Sequence, residues 1–236
     1  MIKPYEVVIT AISIALVALA TLAVNVYIPA TRGYFNVGEV MVYTIALLFG
    51  PKIGAIAGGL GSSLADILTG YLIYAPATLV IKGLEGLVVG YVSRLRVEVS
   101  PSRAKLIGLC VALALGLALW LVGSKVYVGT AEVSLGWASL SVNLTCAIWA
   151  ILASLMAFVV ACYLWRAKPE NLSAILSIIL GGPIMVLGYY LYEQLVLGLF
   201  ALAEVPANIG QMLIGLLIAI PLYATLKPKV MKLIKV

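Results

Sequence analysis

Histidine is absent from all 236 residues. That removes Ser-His nucleophilic chemistry and His-ligated metals together. No G-x-x-x-x-G-K-[ST] loop occurs, so the chain cannot hydrolyse ATP by the P-loop route. Cysteine is scarce too: Cys110, Cys146 and Cys162 sit in apolar stretches at no ligand spacing, as small core residues rather than a metal site or a disulfide framework. Charge is the next shortage. Only 10% of residues are charged while 64% are hydrophobic, and mean hydropathy is +1.18. Soluble domains carry about a quarter charged residues. Period-2 alternation, which a membrane β-barrel needs, is missing.

What is present are apolar runs of about 20 residues, each long enough to cross a ~30 Å hydrocarbon layer as helix. The pattern predicts spans at 5–27, 38–49, 52–70, 76–93, 104–123, 137–165, 172–198 and 206–226. The second is short, because Gly50-Pro51 ends it. The sixth is long enough to tilt or to begin as an interfacial segment. The first is too long for a signal peptide, and its leading segment holds only Lys3, so it is expected to be retained.

An even number of spans puts both termini on one side, and charge says which. Lys3, Lys52, Arg94, Arg96, Arg103, Lys105, Arg166, Lys168, Lys227, Lys229, Lys232 and Lys235 fall on one face. Arg32 and Lys125 fall on the other, and Lys82 lies within a span. The positive-inside rule makes the richer face, with both termini, cytoplasmic. The net charge of +6 then reflects topology over anionic lipid, and no nucleic acid need be invoked.

The run Gly58-Gly59-Leu60-Gly61-Ser62-Ser63 has the look of a phosphate loop, but it lies mid-membrane, lacks the lysine and follows no strand. Gly54, Gly58, Gly61 and Ala65 instead form a smooth stripe that admits a neighbouring backbone, and Gly83, Gly86 and Gly90 repeat the device in the fourth span.

Each charge within a membrane costs roughly 2.5–3.5 kcal/mol even on the lenient insertion scale, so each requires a reason. The intramembrane set is Asp66, Lys82, Glu85 and Glu193, with Asn208 and Gln211 as polar company. At 1.5 Å per residue, all six lie within ~13 Å of the outer ends of four different spans. A bland account has Lys82 and Glu85, at i and i+3, neutralising each other while the rest reach the interface. It leaves the tyrosines unexplained. Tyr71, Tyr74, Tyr189, Tyr190 and Tyr192 share that level, with Tyr34 and Phe35 in the first outer loop. Aromatics, amides and a charge pair converging beneath an outer loop suit a pocket for a small polar-aromatic molecule.

Five segments resemble the S component, the substrate-binding subunit, of energy-coupling-factor (ECF) vitamin transporters, in the riboflavin-type subfamily. They are Arg32–Val40 (RGYFNVGEV), Ala46–Asp66 (ALLFGPKIGAIAGGLGSSLAD), Gly70–Gly90 (GYLIYAPATLVIKGLEGLVVG), Gly181–Glu193 (GGPIMVLGYYLYE) and Glu204–Tyr223 (EVPANIGQMLIGLLIAIPLY). The resemblance implies an all-α polytopic membrane protein with a six-helix core at 4–94 and 172–226. Residues 104–165 would then be two additional spans, about eight in total, within one membrane domain covering 1–236. It further implies capture of a vitamin beneath a lid after the first helix, and partnership with a membrane T component and two cytoplasmic ATPase subunits. In that family, small residues spaced A-x-x-x-A on the first helix face the T component; Ala11 and Ala15 carry the pattern here, and Ala18 extends it.

The expected reading is therefore a substrate-binding subunit of an ATP-driven importer in the cell membrane, without enzymatic activity, cofactor or metal. Its substrate would be riboflavin, another B-type vitamin or a related small molecule. Arg32, Tyr34, Phe35 and Asn36 form the expected lid. Lys82, Glu85, Glu193, Asn208 and Gln211 are the expected pocket, with Tyr74 and Tyr189 as stacking partners. Lys82 either meets an anionic or carbonyl group or only orients Glu85. The rival is a stand-alone permease coupled to protons through Asp66, Glu85 or Glu193; no inverted repeat of broken helices supports it.

Overall fold

The computed structural model describes residues 4–28, 32–95, 100–126, 128–135, 138–167, 169–196 and 198–234. Lys3, Arg96, Lys168 and Lys235, used above to orient the chain, lie outside them. Among the described residues eight α-helices form: α1 (Pro4–Ala23), α2 (Glu39–Phe49), α3 (Pro51–Thr69), α4 (Ala75–Val92), α5 (Pro101–Val126), α6 (Cys146–Arg166), α7 (Pro169–Val196) and α8 (Val205–Ile234). A 3-10 helix, Gly198–Ala203, precedes α8. Two antiparallel hairpins join helices: β1 (Val26–Ile28) with β2 (Gly33–Phe35), and β3 (Gly129–Leu135) with β4 (Ala138–Leu144).

Six of the described helices, α1 and α4 to α8, are long and apolar enough to cross a membrane. The chain is a multi-pass α-helical membrane protein. The other two helices owe their exception to composition and burial. Glycines, serines and Asp66 dilute α3, whose 19 residues are long enough but less apolar. The 11 residues of α2 are wrapped by α1, α3, α4 and α8, and Val42, Tyr43, Ile45 and Ala46 are fully or almost fully buried. A helix enclosed by protein need not match the lipid thickness. The expected sixth span is shorter than the apolar pattern suggests. Residues 138–144 are the strand β4, and α6 starts only at Cys146, where the Thr145 hydroxyl accepts from the Ile148 N–H.

Local chemistry sets the helix ends. Gly50 takes φ +88° between α2 and α3, a conformation that disfavours any side chain, and Pro51 opens α3. Gly70 closes α3 at φ +87°, with the Tyr71 N–H returned 2.8 Å to the Asp66 carbonyl.

The glycine stripes serve close approach. A Cβ on Gly54 would lie 2.8 Å from the Gly86 carbonyl oxygen, and one on Gly58 2.7 Å from that of Lys82. The backbones of α3 and α4 therefore meet directly, which holds Lys82 and Asp66 at fixed positions on neighbouring helices. The α3 stripe serves more than one partner, since Gly61 faces Ile14 and Val17 of α1 instead. The main core joins Tyr43 and Ile45 of α2 to Ile175, Ile178 and Ile179 of α7 and Leu216 of α8. Helices α5 and α6 pack chiefly on each other and reach the rest mainly through α5 against α7 and α8.

Candidate functional site

The β1–β2 hairpin follows α1 and lies against the ends of α3 and α8. Three contacts pin it. The Tyr34 hydroxyl donates to Asp66 Oδ1 at 2.5 Å, the Asn36 backbone N–H donates to Gln211 Oε1 at 2.6 Å, and Gly33 lies against the Glu204 carboxylate. A Cβ at Gly33 would fall 2.9 Å from Glu204 Cδ, so a side chain there would push the carboxylate aside. Tyr34 also stacks on Tyr71, ring centroids 4.3 Å apart. Burial, with Asp66 beside it, pushes the Tyr34 phenol well above the ordinary tyrosine range, so it stays a donor.

Beneath the hairpin lies a charged pedestal. Lys82 of α4 is ion-paired with Glu39 of α2 and, at 3.2 Å, with Glu85 one turn along its own helix. Tyr43 donates to Glu85 Oε1 at 2.7 Å. Glu39, Lys82 and Glu85 are all at most 3% exposed. A buried ammonium held by two carboxylates is a satisfied cation, with its charge already spent on protein partners.

The walls are aromatic and amide. Tyr74 lies 6.4 Å from Tyr189 and 6.1 Å from Tyr192, ring centre to ring centre, in tilted geometry. Thr78 and Tyr189 share a hydroxyl–hydroxyl hydrogen bond of 2.9 Å, and Lys82 Nζ sits 5.7 Å from the Tyr189 ring centre. Gln211 donates to Asn208 Oδ1 at 3.1 Å, one turn apart on α8.

These groups enclose one cavity. Of the residues expected from sequence, it is lined by Tyr34, Asn36, Tyr74, Lys82, Tyr189, Asn208 and Gln211. The other four stand apart from it. Arg32 is exposed at the hairpin turn with φ 57°, Phe35 packs toward Gly210, Glu85 lies behind Lys82, and Glu193 is buried beside Glu204. The cavity also takes Thr21, Ser62, Asp66, Thr78 and Glu204, which sequence reasoning left off the pocket. Glu39 was missed as the second partner of Lys82.

The cavity volume is about 30 Å³. Small-molecule sites run to roughly 300–1,000 Å³. The cavity as it stands is therefore too small for a vitamin-sized guest. This arrangement is a small polar and aromatic cavity closed over by the hairpin. Among the described residues, no group of three or more acidic, cysteine or histidine side chains is placed to hold a metal.

At the other end of α1, Ala11 and Ala15 are exposed, while Ala18 is buried. Ala11 opens on a groove shared with Glu6, Phe49, Lys52 and Arg94.

Comparison with known proteins identifies the family. The sequence matches the family described as ECF-type riboflavin transporter, S component, over residues 1–144 and 137–228. It is also 50% identical over 78 residues to a protein of Pyrococcus woesei described as "Uncharacterized protein in gap 3'region". That stretch covers 33% of this chain and 52% of the relative, so the chain spans about half the length of the curated relative it matches. The family match extends over most of the chain, which belongs to the S components of ECF-type riboflavin transporters.

Proposed function

We propose that this S component captures a vitamin (riboflavin, another B-type vitamin or a related small molecule) from outside the cell, in the cavity under the β1–β2 hairpin. A membrane T component and two cytoplasmic ATPase subunits then drive its release inside. The observation that carries the reading is the lid. One hairpin is fastened to Asp66 of α3, Gln211 of α8 and Glu204 at the foot of α8, across a cavity walled by tyrosines and amides. Of the sequence-derived site, Arg32 and Phe35 belong to the moving hairpin. Tyr34, Asn36, Tyr74, Lys82, Tyr189, Asn208 and Gln211 contact substrate, and Glu85 and Glu193 support them from behind.

In this reading all eight helices cross or enter the membrane, and both termini are cytoplasmic. The hairpin end faces outward. Residues 4–94 and 172–226 are the six-helix core, and 104–165 a two-helix insertion, consistent with α5 and α6 packing chiefly on each other. Ala11 and Ala15 face the T component, where exposed small side chains permit close backbone approach.

The test is reconstitution. The chain alone in liposomes should bind substrate tightly and fail to accumulate it, while adding the T component and ATPases with ATP should restore uptake. Proton-driven accumulation by the isolated chain would instead establish the stand-alone permease, which the buried carboxyls Asp66 and Glu193 would serve as relays.

A further inference from the structure

We infer that the cleft between α6 and helices α7 and α8 binds one anionic membrane phospholipid, with its acyl chains in the cleft and its phosphate at the mouth on Arg166. The inference goes beyond the importer reading and does not depend on it.

The cleft follows from how the inserted pair packs. Helix α6 packs on α5 and, along most of its length, keeps its backbone away from α7 and α8. The space left open measures about 790 Å³, against about 30 Å³ under the hairpin. Its depths are apolar, lined by Phe158 and Val159 of α6, Ile175 of α7, and Ile220 and Pro221 of α8. Phe158 is 65% exposed, so the cleft opens sideways onto the surface that meets lipid. Water against such walls at hydrocarbon depth is unfavourable, and an acyl chain replaces it with apolar contact.

The mouth differs. Tyr163, Arg166 and Asn171 line the cleft at one end, where α6 finishes and α7 begins. Arg166 lies ~12 Å along α6 from Phe158. The cleft is therefore apolar along its depth and cationic at its end, the complement of an anionic phospholipid. Arg166 is exposed and takes no carboxylate partner among the described residues, whereas Lys82 is held by two. A guanidinium so placed can hold a phosphate through two parallel N–H bonds. The first turn of α7, to which Asn171 belongs, adds backbone N–H groups without partners inside the helix.

Charge around the mouth has the same sign. Lys105 of α5 lies 5.2 Å from the ring centre of Trp165, the neighbour of Arg166. Lys227 of α8 lies 5.2 Å from that of Tyr223, the neighbour of Ala224, which lines the cleft. Three helices thus bring a cation to one level. The segment 166–171 (RAKPEN) itself holds two cations and one carboxylate. Basic clefts between membrane helices at headgroup level take anionic lipid. A second copy of this chain would bring like charge to the mouth and suits it less.

Native mass spectrometry tests the site, on the full chain released from micelles doped equally with phosphatidylglycerol and phosphatidylcholine of identical chains. One phosphatidylglycerol is expected to stay bound per chain, in preference to phosphatidylcholine. Arg166→Gln should lower that preference roughly fivefold, the loss expected for one cation at a membrane surface. Lys232→Gln removes a charge from the same end of the bundle but outside the cleft, and should change it by less than about twofold. Cys162→Phe and Ala224→Phe, which fill the cleft and keep its mouth, should abolish the retained lipid. Equal retention of both lipids overturns the inference. So does an equal loss in Arg166→Gln and Lys232→Gln, which would reduce the effect to diffuse attraction. Lipid retained in the filled variants would sit elsewhere, and a two-chain species free of lipid would make the cleft a self-association face; either result also overturns it. The comparison of the two lipids on the unaltered chain and on Arg166→Gln decides even where a filled variant misfolds.

Discussion

Replacing Lys82 with methionine should be among the most destabilising single changes in the bundle. Lys82→Met keeps most of the aliphatic stem and removes the ammonium, leaving Glu39 and Glu85 as two carboxyls in a region from which water is excluded. Removing one partner of a buried pair typically costs about 3–5 kcal/mol, because the other charge stays buried and uncompensated. For a chain of this length, 1 kcal/mol shifts the unfolding midpoint by roughly 2–4 °C, which puts the expected loss at about 6–20 °C. Glu85→Gln should cost much less. Lys82 keeps Glu39, and the Gln carbonyl still accepts from Tyr43, so the ammonium is not stranded as it would be in an isolated Lys82–Glu85 pair. The triple change Glu39→Gln, Lys82→Met, Glu85→Gln should recover much of the loss, since no unpaired charge remains. Intrinsic-fluorescence melts of the three variants in nanodiscs decide the matter. If Lys82→Met melts within about 2 °C of the unaltered chain, or Glu85→Gln costs as much as Lys82→Met, the pedestal is not held by Lys82 as described here.

Four more expectations follow from other parts of the molecule. Single cysteines at Ser102 and Lys229, in a background without Cys110, Cys146 and Cys162, should be shielded from impermeant thiol reagents in intact cells, and one at Ala131 labelled; the reverse pattern would invert the topology. Replacing Ala11 and Ala15 with leucine should block assembly with the T component and spare substrate binding, because both side chains are exposed and remote from the cavity; co-purification and ligand titration read the two effects separately. Gly86→Ala should destabilise by about 1–3 kcal/mol, since its Cβ would fall 2.7 Å from the Gly54 carbonyl carbon, and a neutral outcome in thermal melts would refute direct α3–α4 backbone contact. Tyr34 contributes stability that is full below the ordinary tyrosine pKa and lost only as pH rises through its raised folded value. The ultraviolet phenolate difference between the unaltered chain and Tyr34→Phe should therefore be absent near pH 10, and a clear signal there would mean the Asp66 latch is not formed.

The helices were legible because lipid imposes a length and an apolar composition that nothing else in a sequence imitates. The order of motifs carried the family as well, from RGYFNVGEV through to EVPANIGQMLIGLLIAIPLY. Legibility stopped where an element answers to its protein neighbours. Residues 138–144 (ASLSVNL) are apolar enough to extend a span, yet they pair with Gly129–Leu135 as a strand, and hydropathy does not register a hairpin partner. The site shows the same boundary. Lys82, Glu85, Asn208 and Gln211 stood out because a polar residue within a span needs a reason. Glu39 and Glu204 did not, because each sits at a helix start, where carboxylates are common and favourable for local reasons.

That position is what lets them act at a distance in sequence. Glu39 opens α2 directly after the hairpin, so the residue that neutralises Lys82 lies three positions beyond Asn36, which the lid uses to reach Gln211. Glu204 closes the 3-10 segment and fastens Gly33 at the opposite side of the same cavity. A charge that looks like a helix-end nicety in one dimension becomes, once α2 is buried among four other helices, the shared foundation of lid and pedestal. If the hairpin swings outward to admit a guest as proposed, the Lys82 ion pair holds Glu39 on one side of the interval 36–39, and the Gln211 contact is the one to release on the other. Gly38, within that interval, donates its N–H to Asn36 Oδ1 at 2.9 Å, and a side chain there would crowd the Thr21 hydroxyl.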